Sequence, residues 1–324
     1  MKNSSKTANR LARRDFIINS VAVSAGALVL PIHMLQGKEI PPLSDNLNIE
    51  KVGVGSLAPV IKDRPSFLNR PYPIITGIIA GQTPQELIAA AKNSESEGAK
   101  GITIDLFDLK PEFRNSESFK GIINSVDLPF MFYFYRKDKW KKSSDDERQE
   151  VLLAAADAGA SMIDVMGDLY DPAPMEITYD KNAIDKQKRL MDKIRSKGAD
   201  VVMSSHTGSY LSREDVIKHM LELEKRGSEV VKIVTMINTK EQLSEALQTT
   251  IALTRELKTP FIHLCGGKYS LPHRFMCPVL GTTIMFAVPY YSDYYGFGQP
   301  TIKSMKAVLD NIHWYINETE EGKD

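Results

Sequence analysis

From about residue 73 the chain alternates between short apolar, β-branched or aromatic runs and longer segments whose apolar positions recur with helical spacing. The runs are Pro73–Ala80, Gly101–Phe107, Pro129–Tyr135, Ser161–Met166, Asp200–Ser204, Val230–Met236, Pro260–Cys265 and Thr282–Val288. Each has the length of a strand and is bounded by turn-forming residues. Near-continuous apolarity, rather than strict alternation, marks strands buried on both faces, as in a parallel sheet. Between them lie amphipathic stretches such as Asp145–Ala158, Lys181–Lys197, Ser212–Arg226 and Thr239–Leu257, and a last helix is predicted over Thr301–Glu318. Thr83-Pro84-Gln85-Glu86 predicts a helix start, with Thr83 as N-cap, Pro84 at the first helical position and Glu86 closing a capping box. Several helices stop at Gly-Ala or Arg-Gly just before the next run. Eight such units in succession predict a (β/α)8 TIM barrel of the α/β class rather than a doubly wound sheet. No Gly-x-Gly-x-x-Gly follows the first strand, which also argues against a dinucleotide fold. Lys51 to Val60, with two glycines, predicts a short N-terminal hairpin, so the catalytic barrel is assigned to 51–324.

The first residues follow a different pattern. A basic stretch ends in Arg13-Arg14-Asp15-Phe16-Ile17-Ile18, an apolar small-residue run extends from Val21 to Pro31, and no acid occurs between Asp15 and Glu39. The run is shorter than the ~20 residues a membrane span requires, so it predicts a secretory signal. The paired arginines are similar to the twin-arginine export motif. Residues 1–35 are therefore expected to be a signal, with the export machinery as a partner and a periplasmic or otherwise exported location. Residues 36–50, rich in proline and polar groups, are expected to be a linker.

With 41 basic and 41 acidic residues the formal net charge is zero, which argues against nucleic acid as a partner. The lysine-rich run around Lys137–Lys142 is interleaved with acids and predicts a solvated loop. The only cysteines, Cys265 and Cys277, form neither a disulfide framework nor a CxxC metal site; two buried thiols are expected.

Chemistry enters where polar residues interrupt apolar strands, because barrel active sites lie at the strands' carboxyl ends. Lys232 sits inside Val230-Val231-Lys232-Ile233-Val234, where a charge is costly unless it is paired or deprotonated. A desolvated amine can attack a carbonyl. His206 ends the preceding strand, so a proton-transfer group and the lysine can share one pocket. Arg274, after the seventh strand, has the planar fork for a carboxylate, and Gln299 supplies an amide near the rim of the eighth.

These segments resemble type I 3-dehydroquinate dehydratase, a Schiff-base-forming (β/α)8-barrel family, from about Lys51 to the C-terminal helix. Val201–His206 looks like the strand carrying the family's acid/base histidine, and Val231–Met236 like its Schiff-base lysine strand. Arg274 before Val279-Leu280-Gly281-Thr282 resembles the substrate-carboxylate arginine, and Gly298-Gln299 the loop that closes over it. The resemblance implies a hydro-lyase acting on a keto acid, 3-dehydroquinate, through an imine at Lys232, with His206 moving protons and neither metal nor organic cofactor. It departs on the hydroxyl side. The family's Glu-x-Arg pair on strand two falls on Thr103-Ile104-Asp105. The arginine ending strand three falls on Tyr135, with Arg136 next, and the glutamate that orients the histidine falls near Asp138 or Lys139. Asp105, Arg136 and Tyr135 are therefore the substrate-binding candidates on that side, with Asp164 beside them. His263, His273 and the tyrosines 290, 291, 294 and 295 are weaker candidates, the tyrosines as a lid or a packed loop.

Two other functions fit the same residues. A Schiff-base lyase or aldolase on another keto acid would keep Lys232, and a non-catalytic exported barrel binding a carboxylate would need only Arg274 and Gln299. A zinc amidohydrolase is disfavoured because no His-x-His ends the first strand. A homodimer is one arrangement left open.

Overall fold

A computed structural model describes residues 65–292, 296 and 298–316. The signal-like segment, the linker and the hairpin expected at Lys51–Val60 lie outside the described residues, as do Tyr294 and Tyr295. Eight strands, β1 (Ile74–Ile79), β2 (Gly101–Asp105), β3 (Phe130–Tyr133), β4 (Met162–Met166), β5 (Asp200–His206), β6 (Val230–Met236), β7 (Phe261–Gly266) and β8 (Ile284–Ala287), alternate with helices. The helices are α1 (Pro84–Ser96), α2 (Ser116–Ile123), α3 (Asp145–Ala158), α4 (Lys181–Ser196), α5 (Arg213–Glu224), α6 (Lys240–Glu256), α7 (Ser270–Met276) and α8 (Ile302–Leu309).

Strands consecutive from β1 to β7 pair in parallel, and β1 pairs in parallel with β8. Across the remaining seam the Thr283 amide donates to the Phe261 carbonyl at 2.9 Å, and the Thr282 hydroxyl to that of His263 at 3.2 Å. The result is a nearly closed (β/α)8 barrel, the architecture the strand–helix alternation predicts.

Local chemistry sets the boundaries. The α3 start carries a complete capping box, with Ser144 accepting from the Glu147 amide and Glu147 from that of Ser144; Gly159 ends the helix at φ 113°. Before α1, Thr83 caps the Glu86 amide as expected, but the Glu86 carboxylate accepts from Gln82, one residue earlier than a capping box requires. Helices α2 and α7 were not legible as periodic segments, because eight and seven residues span barely two turns. Helix α8 begins at Ile302, capped by Thr301, where the predicted last helix starts, but stops at Leu309 rather than Glu318. There the chain turns back, and the Ile316 amide donates to Val279 ahead of β8.

Two apolar layers result. Outward-facing strand residues such as Ile104, Phe132, Val165, Met203 and Ile233 pack under the helices. Inside the barrel, Ile74, Met131, Met162, Val202, Val230, Ile262 and Ile284 fill the amino ends. Two residues further along, the inward positions include Asp164, Ser204 and Lys232. Side chains alternate across a strand, so the polar site rests directly on an apolar plug.

Candidate active site

A cavity of about 130 Å³ opens at the carboxyl ends of the strands, lined by Ile78, Tyr133, Tyr135, His206, Lys232, Val234, Leu264, Arg274, Phe286 and Gln299. Strands β5 and β6 are in register with Ser204 opposite Lys232, which puts His206 one inward step above the lysine. Lys232 is 4% exposed. Its Nζ donates to the Tyr135 hydroxyl at 2.7 Å and to Asp164 Oδ2 at 3.2 Å. Tyr135 in turn donates to the same oxygen at 2.7 Å, and Ser204 donates to Asp164 Oδ1 at 2.5 Å. Burial, then the Asp164 charge and its hydrogen bond, push the Tyr135 phenol well above its usual pKa, so it stays protonated. The rings of Phe286, Tyr135 and Tyr133 lie 5.0, 5.4 and 5.8 Å from Nζ. The expectation of a charge that must be either paired or deprotonated meets a carboxylate supplied by β4.

His206 is held from the opposite side. Glu176 Oε2 accepts from the His206 amide at 2.8 Å and lies 2.9 Å from Nδ1. A carboxylate on Nδ1 places the ring proton there and leaves the Nε2 lone pair for the cavity. Glu176 comes from the connection after β4, not from the end of β3. The β3 positions are otherwise engaged: Asp138 is bound by Arg114 at 2.8 and 2.9 Å, and Lys139 donates to Asp108 at 2.6 Å. The Glu176 loop approaches closely because Gly167 has no side chain; a Cβ there would lie 2.7 Å from the Glu176 carbonyl oxygen. Met175 and Glu176 both take left-handed backbone conformations, φ 63° and 51°, which non-glycine residues adopt at a cost. No sequence pattern marked this glutamate, since an acid in a connecting loop is commonplace.

Arg274, 8% exposed, donates through Nε to the Cys265 carbonyl at 2.8 Å. Its buried Nη1 finds no partner among the described residues, and burial lowers its pKa. An anion is the group such a donor lacks. Gln299 lines the same cavity, and the Tyr291 hydroxyl donates to its carbonyl at 3.0 Å.

Two substrate-binding candidates are placed elsewhere. The Arg136 guanidinium is taken up by Asp168 at 2.8–2.9 Å and by Asp145 at 3.2 Å, stitching β3 to the loop after β4. Asp105 is not among the cavity-lining residues, and its Oδ1 accepts from the Phe107 amide at 3.1 Å. The wall where hydroxyl-binding ions were expected carries Ile78 and the tyrosines 133 and 135.

His263 and His273 face the helix layer instead. With Cys265 their ligand atoms lie within 4.8 Å of one another, a set that could hold a soft metal ion. The Thr250 hydroxyl bonds both rings, at 2.9 and 3.2 Å, and burial pushes the His263 pKa down to about 4. The neighbouring Arg274 charge disfavours a second cation, so the cluster reads as a neutral hydrogen-bonded core. Cys265 and Cys277 are buried and unlinked. A larger cavity of about 470 Å³ at the opposite barrel end is lined by Arg70, Tyr72, Lys100 and Lys306, among others, and Lys306 there is paired with Asp310 of its own helix end.

Fold and site define a class: (β/α)8 barrels with an inward lysine, a carboxylate-bound histidine and a buried arginine around one strand-end cavity. The type I 3-dehydroquinase model matches residues 77–315, and the chain belongs to that family. It is 28% identical over 145 residues to the 3-dehydroquinate dehydratase of Alkaliphilus oremlandii, covering 44% of this chain and 55% of that one. Thus the match spans about half that relative's length. To the Klebsiella pneumoniae 3-dehydroquinate dehydratase it is 22% identical over 240 residues, 72% of this chain and 90% of that one. The crystal structure of 3-dehydroquinate dehydratase from Geobacillus kaustophilus superposes with a TM-score of 0.63 at 18% identity, covering 77% of this chain and 93% of that one.

Proposed function

We propose that the protein is a hydro-lyase that converts 3-dehydroquinate to 3-dehydroshikimate through an imine at Lys232. The observation that carries this reading is the buried lysine sharing a cavity with a carboxylate-oriented histidine and an arginine nitrogen without a partner among the described residues. Family membership supports it. Arg274 and Gln299 bind the substrate carboxylate and so fix which carbonyl meets Nζ. Condensation at Lys232 gives an iminium that acidifies the neighbouring carbon. His206 Nε2 removes that proton and returns it to the departing hydroxyl, which leaves as water. Hydrolysis of the imine then frees the enone and the amine. Export through the paired arginines at 13 and 14 would place this reaction outside the cytoplasm, where it fits breakdown of quinate-type compounds.

The cavity wall favours one second reading. Ile78, Leu264 and Phe286 line it, while Arg136 and Asp105 do not, so a keto acid with fewer hydroxyls fits the same lysine. Borohydride trapping with 3-dehydroquinate, read by peptide mass, together with enone absorbance, separates the two. A Lys232 adduct with turnover is expected. An adduct only with a less hydroxylated keto acid would favour the second reading, and no adduct with either would exclude imine chemistry.

A further inference from the structure

We propose that Tyr135, backed by Asp164 and Ser204, is the proton relay of the imine-forming nitrogen, a catalytic role for a residue that the sequence offers only as a substrate-binding candidate. The proposal rests on the imine reading above. Making an iminium from the lysine ammonium and a ketone requires a balanced transfer. The C–N bond forms, the carbonyl π pair and later the C–O pair go to oxygen, and the nitrogen pair closes the C=N bond. Two protons leave nitrogen, and the same two depart on oxygen as water. Some group must carry them between the two atoms.

The hydrogen bonds form that path. Nζ donates to the Tyr135 oxygen at 2.7 Å, and that hydroxyl donates to Asp164 at 2.7 Å. A proton from nitrogen can therefore enter the phenol oxygen as the phenol proton passes to the carboxylate. Ser204, donating to the other carboxylate oxygen, holds Asp164 in place for the exchange. Asp164 is 3% exposed and is not among the cavity-lining residues, whereas Tyr135 lines the cavity with Lys232. Besides Nζ itself, which donates to the carboxylate at the longer distance of 3.2 Å, the phenol is the group that links Asp164 to the cavity. The reverse passage delivers the proton to the carbinolamine hydroxyl. Stacking on Tyr133, with centroids 4.5 Å apart, and edge contact with His206 at 4.7 Å fix the ring in the one orientation this path needs. His206, with Nδ1 on Glu176, is left to the carbon proton.

Rapid-quench borohydride trapping of the full chain with 3-dehydroquinate, read as mass gain at Lys232, tests the relay. In Tyr135→Phe the trapping rate should fall by about 10²-fold or more, the scale of a lost general acid–base group. Substrate deuterated at the carbon that loses its proton should show a smaller isotope effect on kcat in the variant, because the nitrogen steps then limit. A merely structural tyrosine would raise KM and leave both unchanged, and that outcome overturns the relay. Ser204→Ala, a small change in a packed site, should slow the same step to a lesser degree. If Tyr135→Phe does not fold, unaltered trapping in Ser204→Ala overturns the proposal. No Lys232 adduct in the native protein would overturn the imine reading, and the relay with it; a native adduct formed as fast in Tyr135→Phe overturns the relay alone.

Discussion

At the scale of single residues, the site is a set of polar groups held by partners from other strands and loops. Glu176 bonds both the amide and the ring of His206 through one oxygen. Glu176→Gln keeps an acceptor but removes the charge that matches an imidazolium. A fall in kcat of about 10- to 100-fold with little change in KM is expected, short of the ~10²–10⁴-fold loss for the base itself; steady-state kinetics on the folded variant checks it. Arg274 should divide the other way. Losing a hydrogen bond to a charged partner costs about 1.5–3 kcal/mol, so Arg274→Ala should raise KM about 10- to 150-fold with kcat less affected. Lys232, His206, Arg274 and Gln299 were legible because a charge in an apolar strand or a polar residue at a strand's end breaks the pattern. Glu176 was not, because its loop position carries no such contrast. Arg136 was misplaced for a related reason: chain position cannot say that Asp145 and Asp168 reach it first.

Among the elements, the connection from β3 to α3 shows how the barrel's upper rim is anchored. Arg114 and Asp138 pair at 2.8 Å with side chains 3% exposed each, and the Arg114 guanidinium lies over Phe134, 4.6 Å from the ring centroid. Against the upward pull of burial, hydrogen bonds from Arg114, the Trp140 amide and Ser143 hold Asp138 well below the usual carboxylate range. A carboxyl depressed in the folded state stabilises fully above its unfolded pKa of about 3.9, and this stability is lost as pH falls toward the folded value. Urea denaturation of Asp138→Asn should therefore lose part of the native pH dependence below about pH 4. Breaking the pair with Arg114→Ala should cost about 3–5 kcal/mol, because it strands a buried charge. Ser144→Ala, which removes the α3 cap, should cost about 1 kcal/mol in the same assay.

For the whole molecule, the parallel barrel brings residues distant in sequence to one mouth. Tyr135 and Lys232 are 97 positions apart yet hydrogen-bonded. A ligand that engages Arg274 binds only the folded state. A small monocarboxylate at ~100 times its Kd should add about 2.7 kcal/mol of stability, seen as a raised thermal midpoint. Arg274→Ala should abolish that gain. The amino-terminal segment belongs to this scale too. Replacing Arg13 and Arg14 with lysine should leave the protein in the cytoplasm, as fractionation and blotting would show; secretion unaffected by the change would remove the twin-arginine reading.

What the sequence determined by itself was periodic or local. Continuous apolar runs specify strands buried on both faces, helical spacing and caps mark most helices, and eight repeats leave little choice but a barrel. Family-like motifs around Lys232, His206 and Arg274 pointed to residues that line one cavity, because each lies within a few residues of its own strand. Only the tertiary structure decided the pairings: Asp164 and Tyr135 on the lysine, Glu176 on the histidine, Asp145 and Asp168 on Arg136. These bonds join different strands and loops. Their geometry follows from strand register and from which loops can approach, as at Gly167. Neither property is written in the residue order of any one segment.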